Sequence, residues 1–218
     1  MNADPVLRGL YLVTPDEEDT ARLLARVRQV LAARPALLQY RNKCLDAAGR
    51  RAQAAAVLAL CRAAGVPMVV NDSVELALDI AADGVHLGRD DGDPAVARAR
   101  LGAGRILGVS CYDQWARAVA GAQAGADYLA FGAMFTSPTK PAAVRAPLDL
   151  LGRARRELGR PVAAIGGITA ENAGVLVAAG ADLLAVISDV FAAADPAARA
   201  AAYAAVFCAG PGSAARPQ

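Results

Sequence analysis

No apolar run in the chain is long enough to span a bilayer, although 56% of its 218 residues are apolar. Much of that content is alanine in helix-like stretches such as Arg51 to Ala64. The N-terminal Met1-Asn2-Ala3-Asp4-Pro5 lacks the basic start, apolar centre and small-residue cleavage site of a secretory signal, so a soluble cytoplasmic protein without a membrane partner is expected. There is no basic block either: 23 basic residues against 21 acidic ones leave a formal charge of +2, which points to small-molecule rather than nucleic-acid partners. Cys44, Cys61, Cys111 and Cys208 lack the paired spacing of zinc sites or thiol exchange and read as ordinary reduced thiols. The single histidine, His86, lies within an apolar strand and reads as a core or supporting residue rather than a base. Acyl transfer and triad hydrolysis, which need a poised base or an activated nucleophile, are therefore not expected.

What the chain does contain is one unit repeated. Leu7 to Thr14 reads as a buried strand, and Thr20 to Ala33 carries Leu23, Leu24, Val27, Val30 and Leu31 at helical spacing. Strands follow at Ala36 to Tyr40, Pro67 to Val70, Gly84 to Leu87, Ile106 to Cys111, Tyr128 to Phe131, Val162 to Ile165 and Leu183 to Ile187, each with a helical stretch behind it. Ala133 to Pro147 is the longest irregular stretch, broken by Pro138, Pro141 and Pro147, and a loop of that length is more often functional than filler. Eight strand-then-helix units at a spacing of roughly 25 residues predict an α/β fold, a closed (β/α)₈ TIM barrel over residues 1–208 as one domain. The tail, 209–218, is expected to be disordered. An open doubly wound sheet is the alternative, but Thr14-Pro15-Asp16 is not the glycine-rich first turn such sheets usually carry.

In a barrel the C-terminal strand ends converge on one face, where active sites of this fold sit. Asp72 and Asp91 end strands three and four and would suit Mg²⁺ with water and phosphate oxygens; equally, Asp72 would cap the next helix and Asp91 belong to an exposed acidic turn. Gln39-x-Arg41-x-Lys43 alternates, so the three side chains share a side if the strand runs through them. Two cations beside a metal site imply a polyanionic ligand, against the plainer reading of a solvated strand end. Lys140, with Ser137 and Thr139, adds a cation and two hydroxyls. Gly166-Gly167 and Ile187-Ser188 lie where this fold often holds a phosphate, although a glycine pair also serves a simple turn. A diphosphate pocket and a monophosphate pocket together imply two phosphorylated substrates.

The set Gln39-x-Arg41-x-Lys43, Asn71-Asp72, Val85-His86-Leu87-Gly88-x-Asp90-Asp91, Gly108-Val109-Ser110, Ser137-Pro138-Thr139-Lys140, Ile165-Gly166-Gly167-Ile168 and Val186-Ile187-Ser188 closely resembles the thiamine phosphate synthase family. The resemblance spans strands two to eight in order. It implies a transferase of thiamine biosynthesis that joins hydroxymethylpyrimidine diphosphate to a thiazole phosphate, expected in its carboxylated form, and releases pyrophosphate. By resemblance, Asp72 and Asp91 hold Mg²⁺, while Arg41, Lys43 and Lys140 neutralise the diphosphate. Gln39, Asn71 and Ser110 contact the pyrimidine, Ser110 counting with the three cations among the catalytic residues. Ser137, Pro138 and Thr139 meet the thiazole phosphate, whose phosphate sits at Gly167, Ile187 and Ser188. The implied mechanism is dissociative, with a pyrimidine cation captured by the thiazole nitrogen. Two positions depart from the family pattern: Arg89 replaces a usual glutamine and would add a diphosphate contact, and Asp189 puts a negative charge beside the phosphate pocket. A related thiazole tautomerase and a non-catalytic thiamine phosphate sensor are the rival readings, and neither needs the full diphosphate apparatus.

Overall fold

A computed structural model of the chain describes residues 7–136 and 144–208. Eight parallel strands close into a barrel in sequence order: β1 (Gly9–Val13), β2 (Leu37–Tyr40), β3 (Met68–Asn71), β4 (Gly84–Leu87), β5 (Ile106–Tyr112), β6 (Tyr128–Phe131), β7 (Val162–Ile165) and β8 (Leu183–Val186). The ring is completed by β1 pairing with β8, Gly9 opposite Leu183 and Leu12 opposite Val186. Around it run α1 (Thr20–Leu31), α2 (Ala47–Ala64), α3 (Val74–Asp79), α4 (Pro94–Leu101), α5 (Trp115–Gln123), α6 (Asp149–Leu158), α7 (Ala173–Ala178), α8 (Ser188–Phe191) and α9 (Pro196–Cys208). The expected (β/α)₈ barrel is therefore the fold. Segment 209–218, expected to be disordered, lies outside the described residues, as do Ser137, Pro138, Thr139 and Lys140.

The strands read as unbroken apolar runs because both of their faces are covered. Along β1, Leu10 and Leu12 face the helices, whereas Tyr11 and Val13 point into the barrel beside Leu37, Val69, Tyr128, Ala163 and Leu183. Helix starts are chemically marked: Asp19, Asp46, Ser73 and Asp93 each accept a backbone N–H of the first turn of α1, α2, α3 and α4. The boundaries differ from expectation mostly by a residue or two. Two one-residue differences change the local path of the chain: β8 stops at Val186 and gives way to the short α8, and β5 continues to Tyr112 through a register shift opposite β6. Tyr112 sits in the shifted segment at φ 57°, which swings its ring over the barrel rim.

The floor of the barrel is braced by a motif repeated three times. Ala82-Asp83, Ala126-Asp127 and Ala181-Asp182 each stand just before an even strand. In each case the aspartate carboxylate accepts the N–H of the first or second residue of the preceding strand, from Met68 at 2.7 Å, Leu107 at 2.7 Å and Val162 at 3.1 Å. The same aspartates donate their own N–H groups back to those residues' carbonyls. These two-point braces set the stagger between strands, and so the height at which each strand end reaches the mouth.

The residue before each brace adopts a left-handed backbone, as Gly125 at φ 82° and Gly180 at φ 110°, but at the first brace it is Ala81 at φ 55°. An alanine there carries a Cβ strain of about 1 kcal/mol that glycine lacks. Ala81→Gly is expected to stabilise the fold by about 0.5 to 1 kcal/mol, raising Tm by roughly 2 °C in calorimetry. Gly125→Ala is expected to lower it.

Candidate active site

Among the described residues, the C-terminal strand ends bring the expected groups to one face of the barrel. Asp72 follows β3 at φ 66°, a strained backbone for a non-glycine residue, and its N–H donates to the His86 carbonyl at 2.8 Å. It does not cap α3, because Ser73 does so through Oγ and the Leu76 N–H at 3.1 Å. Asp91 is likewise separated from its acidic neighbours. Asp93 caps α4, while the Asp91 carboxylate turns back to accept the Gly88 N–H at 2.7 Å. A Cβ at Gly88 would lie 2.7 Å from that carboxylate oxygen, so a side chain there would push the Asp91 carboxylate aside.

The two carboxylates face each other. Burial first, and then the proximity of Asp91, raise the Asp72 carboxyl above its ordinary range, with Lys43 opposing them from 3.5 Å. A half-buried pair of like charges is costly unless a cation joins it. Oxygen donors of this kind fit Mg²⁺, which keeps water and phosphate among its ligands rather than demanding a protein cage. No group of three or more potential metal ligands occurs among the described residues.

β2 ends at Tyr40, so Arg41 and Lys43 lie on the loop beyond it rather than on a continuing strand, and their alternation is not that of a pleat. Asp16 orders this loop. Its carboxylate accepts from Arg41 Nη1 at 2.8 Å and from the Lys43 backbone N–H at 2.7 Å. Burial would raise the Asp16 carboxyl, but these donors and the two positive charges hold it below its ordinary value. Thr14 secures the same turn, accepting the Arg41 N–H at 2.8 Å and donating to its carbonyl at 2.7 Å. A groove of about 710 Å³ between α2 and α3 opens onto Lys43, Asn71 and Asp72.

Gln39 and Ser110 are joined through the barrel interior. Gln39 Nε2 donates to the Tyr11 hydroxyl (2.5 Å), Tyr11 meets Tyr128 (2.7 Å), Tyr128 meets His86 Nδ1 (2.9 Å), and His86 Nε2 meets Ser110 Oγ (2.8 Å). The Tyr128 ring needs Gly108, where a Cβ would come within 2.1 Å of it. Among the described residues no buried side-chain nitrogen or oxygen lacks a partner. His86 is thus a supporting residue, as its sequence context suggested.

On the far side of the mouth, Gly166 and Gly167 adopt φ 103° and 63°. Their lack of side chains is required by the loop after β6: a Cβ on Gly167 would lie 2.5 Å from the Thr136 carbonyl oxygen. Ile187 and Ser188 begin α8 beside them. Asp189, whose charge raised a difficulty, is paired: Arg199 grips it with two donors at 2.8 and 2.6 Å, and Tyr203 donates at 2.6 Å. Arg199 also forks onto Glu171, whose carboxyl is thereby held down near 2. Arg89 lies over the Tyr112 ring at 4.6 Å, stacked at the rim, with Arg117 at 5.7 Å from the same ring. Asp16, Tyr11, Tyr128, Tyr112 and Arg199 were not singled out in the sequence as site-supporting residues. Only Asp16 carried a signal, being polar at a strand end like the others.

Burial depresses the His86 imidazole to about 4, a smaller pull from Asp91 acting the other way. A depressed folded value means the unfolded chain binds the extra proton, so this stability is present above the unfolded pKa and is lost as pH falls toward the folded one. Denaturant titrations are expected to show about 2 kcal/mol lost between about pH 7 and pH 5, with the slope absent in His86→Gln.

Known proteins resemble this chain over nearly its whole length. The family model described as thiamine monophosphate synthase matches residues 10–190. A thiamine-phosphate synthase of Aromatoleum aromaticum is 66% identical over 204 residues, covering 94% of this chain and 98% of the relative. One from Azoarcus sp. is 67% identical over 201 residues, covering 92% and 98%. Among solved structures, a thiamine phosphate pyrophosphorylase from Pyrococcus furiosus superimposes with a TM-score of 0.81 at 29% identity, covering 91% of this chain and 95% of that one. A 3-hexulose-6-phosphate synthase from Salmonella typhimurium, at 22% identity and a TM-score of 0.70 over 91% and 98% of the two chains, shares the fold. With a family match across most of the barrel and relatives at two-thirds identity over nearly their whole length, the chain belongs to the thiamine monophosphate synthase family.

Proposed function

We propose that the chain joins hydroxymethylpyrimidine diphosphate to a thiazole phosphate, giving thiamine phosphate and pyrophosphate. The observation that carries this reading is the facing pair Asp72 and Asp91 with Lys43 beside it, a charge arrangement with little use except to receive a cation and the polyanion it brings. The carboxylated form of the thiazole, a cytoplasmic location and the dissociative order of events belong to the same proposal.

Asp72 and Asp91 would hold Mg²⁺, which when bound offsets the negative charge that grows on a departing diphosphate. Arg41 and Lys43 act on the same charge. Asp16 fixes Arg41 from behind and anchors the Lys43 backbone, so these donors are set before the substrate arrives, which is where electrostatic catalysis gains most. Lys140 would complete the cation set from the loop after β6, with Ser137, Pro138 and Thr139 against the thiazole phosphate. Gln39, Asn71 and Ser110 orient the pyrimidine ring so that its methylene faces the thiazole nitrogen. Gly167, Ile187 and Ser188 would take the thiazole's phosphate, and Arg199 keeps the Asp189 charge from opposing it. Both substrates held in one mouth gain the entropic advantage of proximity.

Purified protein is expected to release pyrophosphate only when Mg²⁺ and both substrates are present, and a folded sample that makes no product under saturating conditions contradicts the reading. Asp91→Asn is expected to reduce kcat roughly 100-fold while thiazole phosphate binding, followed by calorimetry, changes little. Loss of both together would refute the division into two pockets.

A further inference from the structure

The buried chain from Gln39 to Ser110 has a direction, and the direction follows from counting protons. Each phenol has one proton to give, and a neutral imidazole has one N–H and one bare nitrogen. Gln39 turns its amide nitrogen to the Tyr11 oxygen, so Tyr11 must spend its own proton on Tyr128. Tyr128 then gives its proton to His86 Nδ1, which has to be the bare nitrogen. The imidazole proton therefore sits on Nε2 and is donated to Ser110 Oγ. Ser110, already accepting from within, keeps its hydroxyl proton for the mouth. At the other end one N–H of Gln39 is spent on Tyr11, which fixes the amide so that its carbonyl oxygen, beside the one remaining N–H, is turned away from Tyr11 to accept.

We infer that Tyr11, Tyr128 and His86 are positioning residues that fix opposite hydrogen-bond polarities at the two ends of one wire, so that Ser110 presents a donor to the ligand while Gln39 presents an acceptor. The two ends cannot be chosen independently. Reversing one requires every proton between them to turn round, and every intermediate arrangement leaves a buried group facing its like. The pattern fits a flat ring whose edge carries an acceptor nitrogen beside an exocyclic amino donor, as an aminopyrimidine does. It rejects the oxo analogue, whose edge carries an N–H and a carbonyl in those places. A site whose buried polar groups must pair discriminates far more strongly than an apolar pocket of the same shape. This specificity role rests on the pyrimidine substrate proposed above; the order of protons in the wire does not.

The chain has only one histidine, so its ring can be read without assignment. Long-range proton–nitrogen NMR spectra of isotope-labelled wild-type protein, without ligand, are expected to show a neutral ring protonated at Nε2 and bare at Nδ1. A ring protonated at Nδ1, or a cationic ring, would overturn the proposed order. The second measurement is calorimetric binding of hydroxymethylpyrimidine diphosphate and of its analogue with oxo in place of amino, using wild type, Tyr128→Phe and Tyr11→Phe. Wild type is expected to favour the amino form by roughly 100-fold or more, and either variant to lose about tenfold of that preference. Binding of Mg²⁺ and inorganic pyrophosphate should stay the same in all three. A folded variant that keeps the full preference overturns the positioning role. Wild type that binds neither pyrimidine overturns the substrate assignment and the specificity role with it, while the NMR result still decides the order of the wire.

Discussion

A closed ring of eight parallel strands has no free edge, and its inward side chains must find their partners inside it. That constraint shapes the rest of the molecule. Most inward positions are filled by aliphatic residues such as Leu37, Val69 and Leu183. Tyr11, Gln39, His86 and Tyr128 bring polar atoms into the same space, and an unpaired polar group there would cost about 1 to 3 kcal/mol. They are tolerated because they pair in a single series that crosses the interior and ends at the mouth. The same closure requires a defined stagger, supplied at the floor by Asp83, Asp127 and Asp182.

The mouth that results is an exercise in placing charge where it is opposed. Asp72 and Asp91 repel each other and are relieved by Lys43 and by the Gly88 N–H. Arg41 is held by Asp16 rather than by the carboxylate pair, which leaves that pair free to take a cation. Asp189 carries the wrong charge for a phosphate neighbour, but Arg199 and Tyr203 bind it from the outer helix layer. A charge that looks unfavourable when read alone in the sequence thus has its partners in the fold.

Much of this was legible in the sequence because a barrel writes itself twice, once as eight apolar runs and again as polar residues at their ends. The order of units, the convergence of Asp72 with Asp91, and the supporting place of His86 all follow from that pattern. What escaped has physical reasons. Tyr11 and Tyr128 look like ordinary strand aromatics, since a hydroxyl inside an apolar run says nothing of the partner across the barrel. Arg199 acts on Asp189 from ten residues further along, as the one charged residue of an alanine-rich helix, where it reads as surface. The left-handed backbone of Asp72, and with it the transfer of the capping role to Ser73, has no local signature. Nor does the register shift that lifts Tyr112 under Arg89, because nothing in Ser110-Cys111-Tyr112 marks where the pairing with β6 slips. The alternation of Gln39, Arg41 and Lys43 suggested a strand, yet the pairing of β2 ends at Tyr40 and Asp16 takes over.

The central claim is that Asp72 and Asp91 together hold a divalent cation against a diphosphate. Crystals grown with Mn²⁺ and pyrophosphate, measured at the manganese absorption edge, test it most directly. The account predicts one anomalous peak bridging the two carboxylates and the pyrophosphate oxygens. A peak elsewhere, or pyrophosphate bound at full occupancy without a metal at these residues, would contradict it.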